Sequence, residues 1–229
     1  MKHAHFVVQS PATPAEQLFL LFHGVGDNPV AMGEIGSYFA KSFPNALVVS
    51  IGGPQPFGNG SGRQWFSVQD ITEENRVARI AQVMPNFVQT VRYWQQQSGI
   101  GHAGTALVGF SQGAIMALEA LKVEAQLAGR VVAFSGRFAR LPEGDFGDSV
   151  VHLIHGQDDA TIAVGHAQAA AERMQANGVD FTLDVEPGVG HGINQGMMDN
   201  ALERLHFYVP QRYWDEALLG RRGDLIAFK

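Results

Sequence analysis

Ser111 lies in a sequence pattern that can turn a serine hydroxyl into a nucleophile. An apolar run at 106–108 leads into a Gly-x-Ser-x-Gly pentapeptide at 109–113, and a helix-forming run at 114–121 follows at once. This order of strand, tight turn and helix raises a serine hydroxyl clear of the sheet, and the two glycines have no Cβ to collide there. The helix N-terminus also directs backbone N–H groups towards any oxyanion that forms at the serine. The pentapeptide alone is weak evidence, because a serine that only caps a helix after a glycine-rich turn has the same pattern.

A nucleophilic serine needs a base to take its proton and a third group to hold the tautomer of that base. In an open parallel sheet such residues follow the carboxyl ends of strands. Asp158 and Asp159 follow a predicted strand at 150–154, and His191 follows another at 181–185 in a glycine-flanked loop. Serine, acid, histidine is the chain order of α/β-hydrolase triads. The pattern therefore predicts a hydrolase, although spacing alone leaves the two aspartates undecided.

Histidines other than His191 fit structural roles better. His23 and His155 each precede a glycine at a strand end and are expected to orient loops, with His155 the one rival for the base. His152 lies inside a strand pattern. The remaining histidines have no strand-end context and are expected at the surface or half-buried: His3, His5, His102, His166 and His206. No histidine pair at helical spacing with a third ligand suggests a metal site, and no cofactor is predicted.

The elements that must position these residues alternate along the chain. Apolar runs predict strands, and runs with helical spacing predict helices between them. The predicted strands cover 6–9, 18–22, 47–51, 106–108, 131–134, 150–154 and 181–185. The predicted helices cover about 29–43, 72–97, 112–127, 164–177 and 195–208. This alternation predicts an α/β fold, with a mostly parallel central sheet and helices on both faces, in a single domain spanning 1–229.

Three local features qualify this prediction. Pro85 falls inside the second predicted helix, so we expect a kink or a break there. The irregular, glycine-rich segment 52–70 is long enough to favour a functional loop. A tail at 210–229 places Trp214, Ala217 and Leu218 on one helical face, and it is expected to pack on the body or to be partly mobile.

Composition excludes several other classes of protein. The chain has 229 residues, a net charge of −6 and no basic block, which argues against nucleic acid or an anionic membrane as partner. It has no cysteine, hence no thiolate nucleophile, disulfide or zinc–thiolate site. The longest apolar run, 18–22, is too short to span a bilayer, and no signal-peptide segment is evident. We expect a soluble, cytoplasmic protein.

Together, five segments resemble the carboxylesterase/phospholipase family, the acyl-protein-thioesterase-like branch of the α/β hydrolases. These segments are 23–28, 63–66, 109–113, 155–159 and 190–191, and the resemblance extends over roughly 1–215. It implies an α/β-hydrolase fold without a separate cap domain. It also implies Ser111 as nucleophile, Asp159 as acid and His191 as base. Ala160 departs from the family pattern, which usually has proline after the catalytic aspartate.

The resemblance further implies an oxyanion hole and a groove for the substrate. The backbone N–H groups of Val25 and Gln112 would form the oxyanion hole. Trp65 and Phe66 are expected to line a shallow groove, the alternative for both being plain core packing. The expected reaction is hydrolysis of a small-molecule carboxylic ester or acyl thioester through an acyl-enzyme. The alternatives are a non-catalytic binding protein on the same scaffold and a related hydrolase of amides or lactones.

Overall fold

The computed structural model describes residues 4–218 and consists of one large sheet packed between helices. The strands of this sheet are β1 (His5–Gln9), β2 (Gln17–Phe22), β3 (Ala46–Ile51), β6 (Thr105–Phe110), β7 (Arg130–Phe134), β8 (Val150–Gly156) and β9 (Phe181–Glu186). Two further short strands, β4 (Gln55–Pro56) and β5 (Arg63–Gln64), pair with each other. The helices are α1 (Pro29–Ser42), α2 (Glu73–Ser98), α3 (Gln112–Val123), α4 (Gly165–Ala176), α5 (Gln195–Phe207) and α6 (Gln211–Leu218).

The seven strands within residues 4–218 lie in the order β1-β3-β2-β6-β7-β8-β9. β1 pairs antiparallel with β3, and the other neighbours pair in parallel. The carboxyl ends of β6, β8 and β9 therefore lie at one edge of the sheet, where loops after parallel strands gather functional residues. The predicted α/β fold is confirmed.

Alternation along the strands divides the core between the two faces of the sheet. In β2, Leu18, Leu20 and Phe22 pack on one face with residues of α2, α3 and α4. Phe19 and Leu21 pack on the other face with residues of α1 and α5. The segment 18–22 is continuously apolar because both faces of the strand are buried there.

Two helix predictions need correction. Of the kink or break expected at Pro85, the break does not occur, because helix α2 runs continuously through this residue. Pro85 and Ala81 are both exposed, so the carbonyl that Pro85 leaves without an N–H donor can be hydrated. Helix α3 ends at Val123 rather than near Leu127, because Glu124 adopts an extended conformation (φ −143°, ψ 91°). The connection from β7 to β8, residues 135–149, contains no helix among the described residues, and no cap is inserted there.

The described part of the tail is helix α6. Asp180 accepts hydrogen bonds from the backbone N–H of Gln211 and from the Arg212 guanidinium, which holds the helix beside β9. Trp214 is 57% exposed, so less than half of the surface of this side chain is covered by the rest of the protein. The side chains of Ala217 and Leu218 and the segment 219–229 lie outside the described residues. No described helix combines the length and the hydropathy needed to cross a membrane.

Candidate active site

Ser111 occupies the turn between β6 and α3 in a backbone conformation that side chains rarely adopt. Its φ is 52° and its ψ is −116°. Such strain persists only where the surrounding structure enforces it, and it is concentrated at functional sites. The strand–turn–helix arrangement predicted from the pentapeptide is present.

Gly109 and Gly113 allow strand and helix to approach closely at this turn. A Cβ on Gly109 would lie 2.4 Å from the backbone nitrogen of Ala114, and a Cβ on Gly113 would lie 2.0 Å from the carbonyl oxygen of Phe22. Real Cβ atoms essentially never make contacts this short. Glycine is therefore required on both sides of Ser111.

A continuous hydrogen-bonded chain links Ser111, His191 and Asp159. The Ser111 hydroxyl lies 2.9 Å from His191 Nε2, and His191 Nδ1 lies 2.7 Å from Asp159 Oδ2. The three residues follow β6, β9 and β8 respectively and meet at the carboxyl edge of the sheet. Because the carboxylate accepts from Nδ1–H, Nε2 keeps its lone pair and can accept the serine proton.

Asp159 is held in its charged form. Its side chain is fully buried, and its Oδ1 accepts hydrogen bonds from the backbone N–H groups of Thr161 and Ile162, both at 2.8 Å. Burial on its own raises the pKa of this carboxyl, but the hydrogen bonds from His191, Ile162 and Thr161 outweigh it and hold the pKa below its ordinary value. A charged carboxylate at this position fixes the tautomer of His191.

His155, the rival base, has a different partner. It is buried, and its Nε2–H donates a 2.7 Å hydrogen bond to the carbonyl of Ile162 while lying 3.4 Å from Asp159 Oδ2. This contact fixes the loop that carries Asp159. The sequence order and the hydrogen bonds therefore agree on His191, not His155, as the neighbour of the serine.

His23 supports the loop on the other side of Ser111. Its Nε2 accepts a hydrogen bond from the Gly53 N–H at 2.9 Å, so its Nδ1–H donates to the carbonyl of Gly24 at 2.6 Å. Burial lowers the pKa of His23, which keeps the ring neutral and able to make both contacts. These two hydrogen bonds of His23 thus fix the loop that contains Val25.

Val25 and Gln112, the predicted oxyanion-hole residues, both line the cavity at Ser111. Neither backbone N–H donates a hydrogen bond to any residue within the described range. Gln112 is also the first residue of α3, where backbone N–H groups lack partners in the helix. Two donors are therefore available beside the serine.

Trp65 and Phe66 have different surroundings. Both are almost fully buried, but only Phe66 lines the cavity of about 230 Å³ that opens beside Ser111. Trp65 packs against Phe22 and Phe87, and its Nε1–H donates to the carbonyl of His23. Trp65 thus fits the core-packing alternative, whereas Phe66 combines core packing with a place at the cavity.

The cavity is also lined by residues that no sequence motif indicates. Its other lining residues are Val68, Arg76, Ile115, Arg137, Thr161, Ile162 and His166. They come from separate loops and helices and share no motif, so only the three-dimensional arrangement brings them together. No group of three or more His, Cys, Asp or Glu suited to a metal occurs within residues 4–218.

The sequence pattern of the phospholipase/carboxylesterase family matches residues 3–208. The chain belongs to this family, and the fold and the Gly-x-Ser-x-Gly turn described above agree with that assignment. The protein is an ester hydrolase of the carboxylesterase class.

Individual relatives support the same class. Esterase YpfH of Escherichia coli (strain K12) is 60% identical over 225 residues, which cover 98% of this chain and 97% of the relative. Acyl-protein thioesterase 1 of Kluyveromyces lactis is 28% identical and covers 86% of this chain and 94% of its own length. The crystal structure of esterase PE8 superimposes with a TM-score of 0.76 at 29% identity, covering 89% of this chain and 96% of that chain.

Proposed function

We propose that the protein hydrolyses carboxylic esters and acyl thioesters through an acyl-enzyme formed on Ser111. His191 acts as general base and then general acid, and Asp159 orients it. The observation that carries this proposal is the chain of two hydrogen bonds, 2.9 Å and 2.7 Å long, from the serine hydroxyl to the buried carboxylate. Serine, base and orienting acid in hydrogen-bond contact are what nucleophilic catalysis by a serine requires.

In the first half of the reaction, His191 Nε2 takes the proton of Ser111 as its oxygen attacks the carbonyl carbon of the substrate. The protonated imidazole is stabilised by the Asp159 carboxylate, whose lowered pKa keeps it charged. His191 then gives the proton to the leaving alcohol or thiol. A water molecule repeats the sequence on the acyl-enzyme and frees the acid.

The backbone N–H groups of Val25 and Gln112 stabilise the negative charge that develops on the carbonyl oxygen. Both residues line the cavity beside Ser111, and neither N–H group has another acceptor among the described residues. Each such donor contributes about 3–4 kcal/mol in comparable sites. No metal or cofactor is required for these steps.

The substrate is a small-molecule ester or acyl thioester. The 28% identical relative is named an acyl-protein thioesterase, and the same attack on a carbonyl serves an oxygen or a sulfur leaving group. A cavity of about 230 Å³, with no inserted cap between β7 and β8, favours acyl chains of short to medium length.

Labelling and turnover of Ser111→Ala test the proposal. A fluorophosphonate probe is expected to label the wild type and not this variant. Hydrolysis of p-nitrophenyl esters and acyl-CoA thioesters is expected to fall by at least about 10³-fold, because no other group can form the acyl-enzyme. Ser135→Ala is the matched control, since Ser135 also follows a strand of the same sheet with a positive φ (47°).

Two outcomes would support rival functions. A wild type that neither reacts with the probe nor turns over any ester would indicate a non-catalytic binding protein. Ser111-dependent cleavage of amides or lactones faster than esters would indicate a related hydrolase.

A further inference from the structure

The cavity beside Ser111 has a cationic wall as well as an apolar one. Apolar side chains of Phe66, Val68, Ile115 and Ile162 form part of the lining. Arg76 and Arg137 also line it, together with His166. Because an apolar pocket gains nothing from buried guanidinium groups, these cations need an explanation.

The two arginines share a single carboxylate. Arg137 makes two hydrogen bonds to Glu73, and Arg76 makes one at 3.2 Å. The Glu73 side chain is 64% exposed, whereas the side chains of Arg76 and Arg137 are only 18% and 11% exposed. The anion therefore faces solvent while the two cations are largely buried.

His166 adds no compensating charge. Its Nε2 accepts a hydrogen bond from Arg137 Nη1 at 3.2 Å, which requires an unprotonated ring nitrogen. Burial, and next the positive charge of Arg137, lower the pKa of His166. Two guanidinium groups against one carboxylate leave this wall of the cavity with one net positive charge.

Arg76 also has an unused hydrogen-bond donor. Its Nε is buried and has no hydrogen-bond partner within the described part of the chain. A buried N–H without an acceptor is destabilising, and a charged donor more so. The Arg76 guanidinium is therefore not fully paired by Glu73, and an anion bound in the cavity would balance the remaining positive charge.

We propose that the preferred substrates carry an anionic group, a carboxylate or a phosphate, on the arm that enters this cavity, and that Arg76 and Arg137 bind it. The inference rests on the proposed cleavage of esters at Ser111. The whole chain has a net charge of −6, so its overall field repels anionic substrates. A preference for them must therefore come from local contacts such as these.

Matched pairs of substrates test the proposal. For a carboxylate on the acyl arm, the mono-p-nitrophenyl ester of adipic acid is compared with p-nitrophenyl hexanoate, which has the same six-carbon chain without the charge. For phosphate on the leaving group, hexanoyl-CoA is compared with the hexanoyl thioester of N-acetylcysteamine. In at least one pair, kcat/KM of the anionic member is expected to be at least about tenfold higher.

Variants assign the preference to the cationic wall. Arg76→Met and Arg137→Met are expected to reduce the anionic-to-neutral ratio of kcat/KM by at least about tenfold. Glu73→Gln is expected to raise the ratio, because it removes the competing carboxylate; general damage to the fold would not produce opposite signs. Arg92→Met is the control for net charge and is expected to leave the ratio unchanged. Arg92 lies on α2, as Arg76 does, but it pairs with Glu124 outside the cavity.

The possible results separate this inference from the proposed function. Neutral esters cleaved in a Ser111-dependent way, with no anionic preference in either pair, would overturn the inference alone. A preference that survives both arginine substitutions would overturn it as well. A wild type that shows no Ser111-dependent hydrolysis of any substrate would instead overturn the proposed function. Arg76→Gln replaces Arg76→Met if the latter does not fold, as judged by its thermal unfolding.

Discussion

Asp159 has two oxygens with separate partners, and this division determines its proposed role. Oδ1 accepts from two backbone N–H groups of its own loop, and Oδ2 faces His191. The first set of contacts fixes the carboxylate in place, and the second fixes the imidazole. A side chain with only one acceptor atom cannot do both.

We predict that Asp159→Asn lowers kcat for p-nitrophenyl ester hydrolysis by about 10³–10⁴-fold. The amide oxygen would stay with the backbone N–H groups, so the amide nitrogen would face His191 Nδ1. His191 would then carry its proton on Nε2 and could not accept one from Ser111. Steady-state kinetics measures the loss.

Asp158→Asn is the matched control, because sequence spacing alone does not distinguish the two aspartates. Asp158 is exposed, and its backbone N–H bonds to the carbonyl of Val189. Turnover within a few-fold of the wild type is expected. A larger loss at Asp158 than at Asp159 would contradict the proposed triad.

At the scale of elements, the start of α3 is fitted tightly to its surroundings. Gly113 lies against the end of β2, and the Gln112 side chain bridges the loop above it. Gln112 Oε1 accepts from the N–H of Trp65 at 2.7 Å, and its Nε2 donates to the carbonyl of Phe66 at 2.8 Å. The helix thus positions Ser111 and the cavity wall together.

Gly113→Ala is predicted to destabilise the protein by about 3 kcal/mol and to abolish probe labelling of Ser111. The added Cβ would meet the Phe22 carbonyl oxygen at 2.0 Å, which forces α3 away from β2. Chemical denaturation measures the stability change. Gly60→Ala, where an added Cβ meets nothing within 4 Å, should leave both properties unchanged; equal effects at the two positions would refute the packing argument.

The regular elements were predictable from sequence because their burial is periodic. Strands such as β2 contain a continuous apolar run, here 18–22, and α2 presents Ile80, Met84, Phe87 and Val91 to the core at helical spacing. The segment 52–70 was recognisable only as a long loop. Its shape depends on distant partners, such as the hydrogen bonds between Arg63 and the loop 26–27, which no local pattern encodes.

At the scale of the whole molecule, a buried histidine in the sheet affects stability in acid. Burial, and next the charge of Arg130, lower the pKa of His152 to about 3. In the unfolded chain the same group titrates near 6.5. Between these values the unfolded state binds the extra proton, so the free energy of unfolding falls as the pH falls through this window.

We predict that His152→Phe reduces this acid sensitivity. Between pH 6.5 and 4.5, the free energy of unfolding should fall by about 2 kcal/mol less in the variant than in the wild type. Urea unfolding at several pH values measures it. His102→Phe, outside the sheet, is the control, and curves that stay parallel for the wild type and His152→Phe would contradict the prediction.

The candidate site was predictable to the extent that its residues sit in motifs at strand ends. Ser111, Asp159 and His191 have such positions, and the structure brings them into hydrogen-bond contact. The cationic wall was not predictable, because Arg76, Arg137 and His166 belong to separate segments that share no pattern. The choice between the two roles stated for Trp65 was not predictable for a related reason: an aromatic residue next to a functional loop can line a groove or point into the core.

β9 is the outermost strand of the sheet on its side, and all six of its residues are only partly buried. The proposed proton acceptor is carried by the loop that follows it, whereas the nucleophile follows a central strand. Local unfolding of β9 would move the His191 imidazole away from Ser111 while the central strands stayed folded. Hydrolytic activity would then fall under mild heat or denaturant before the spectroscopic signal of global unfolding changes.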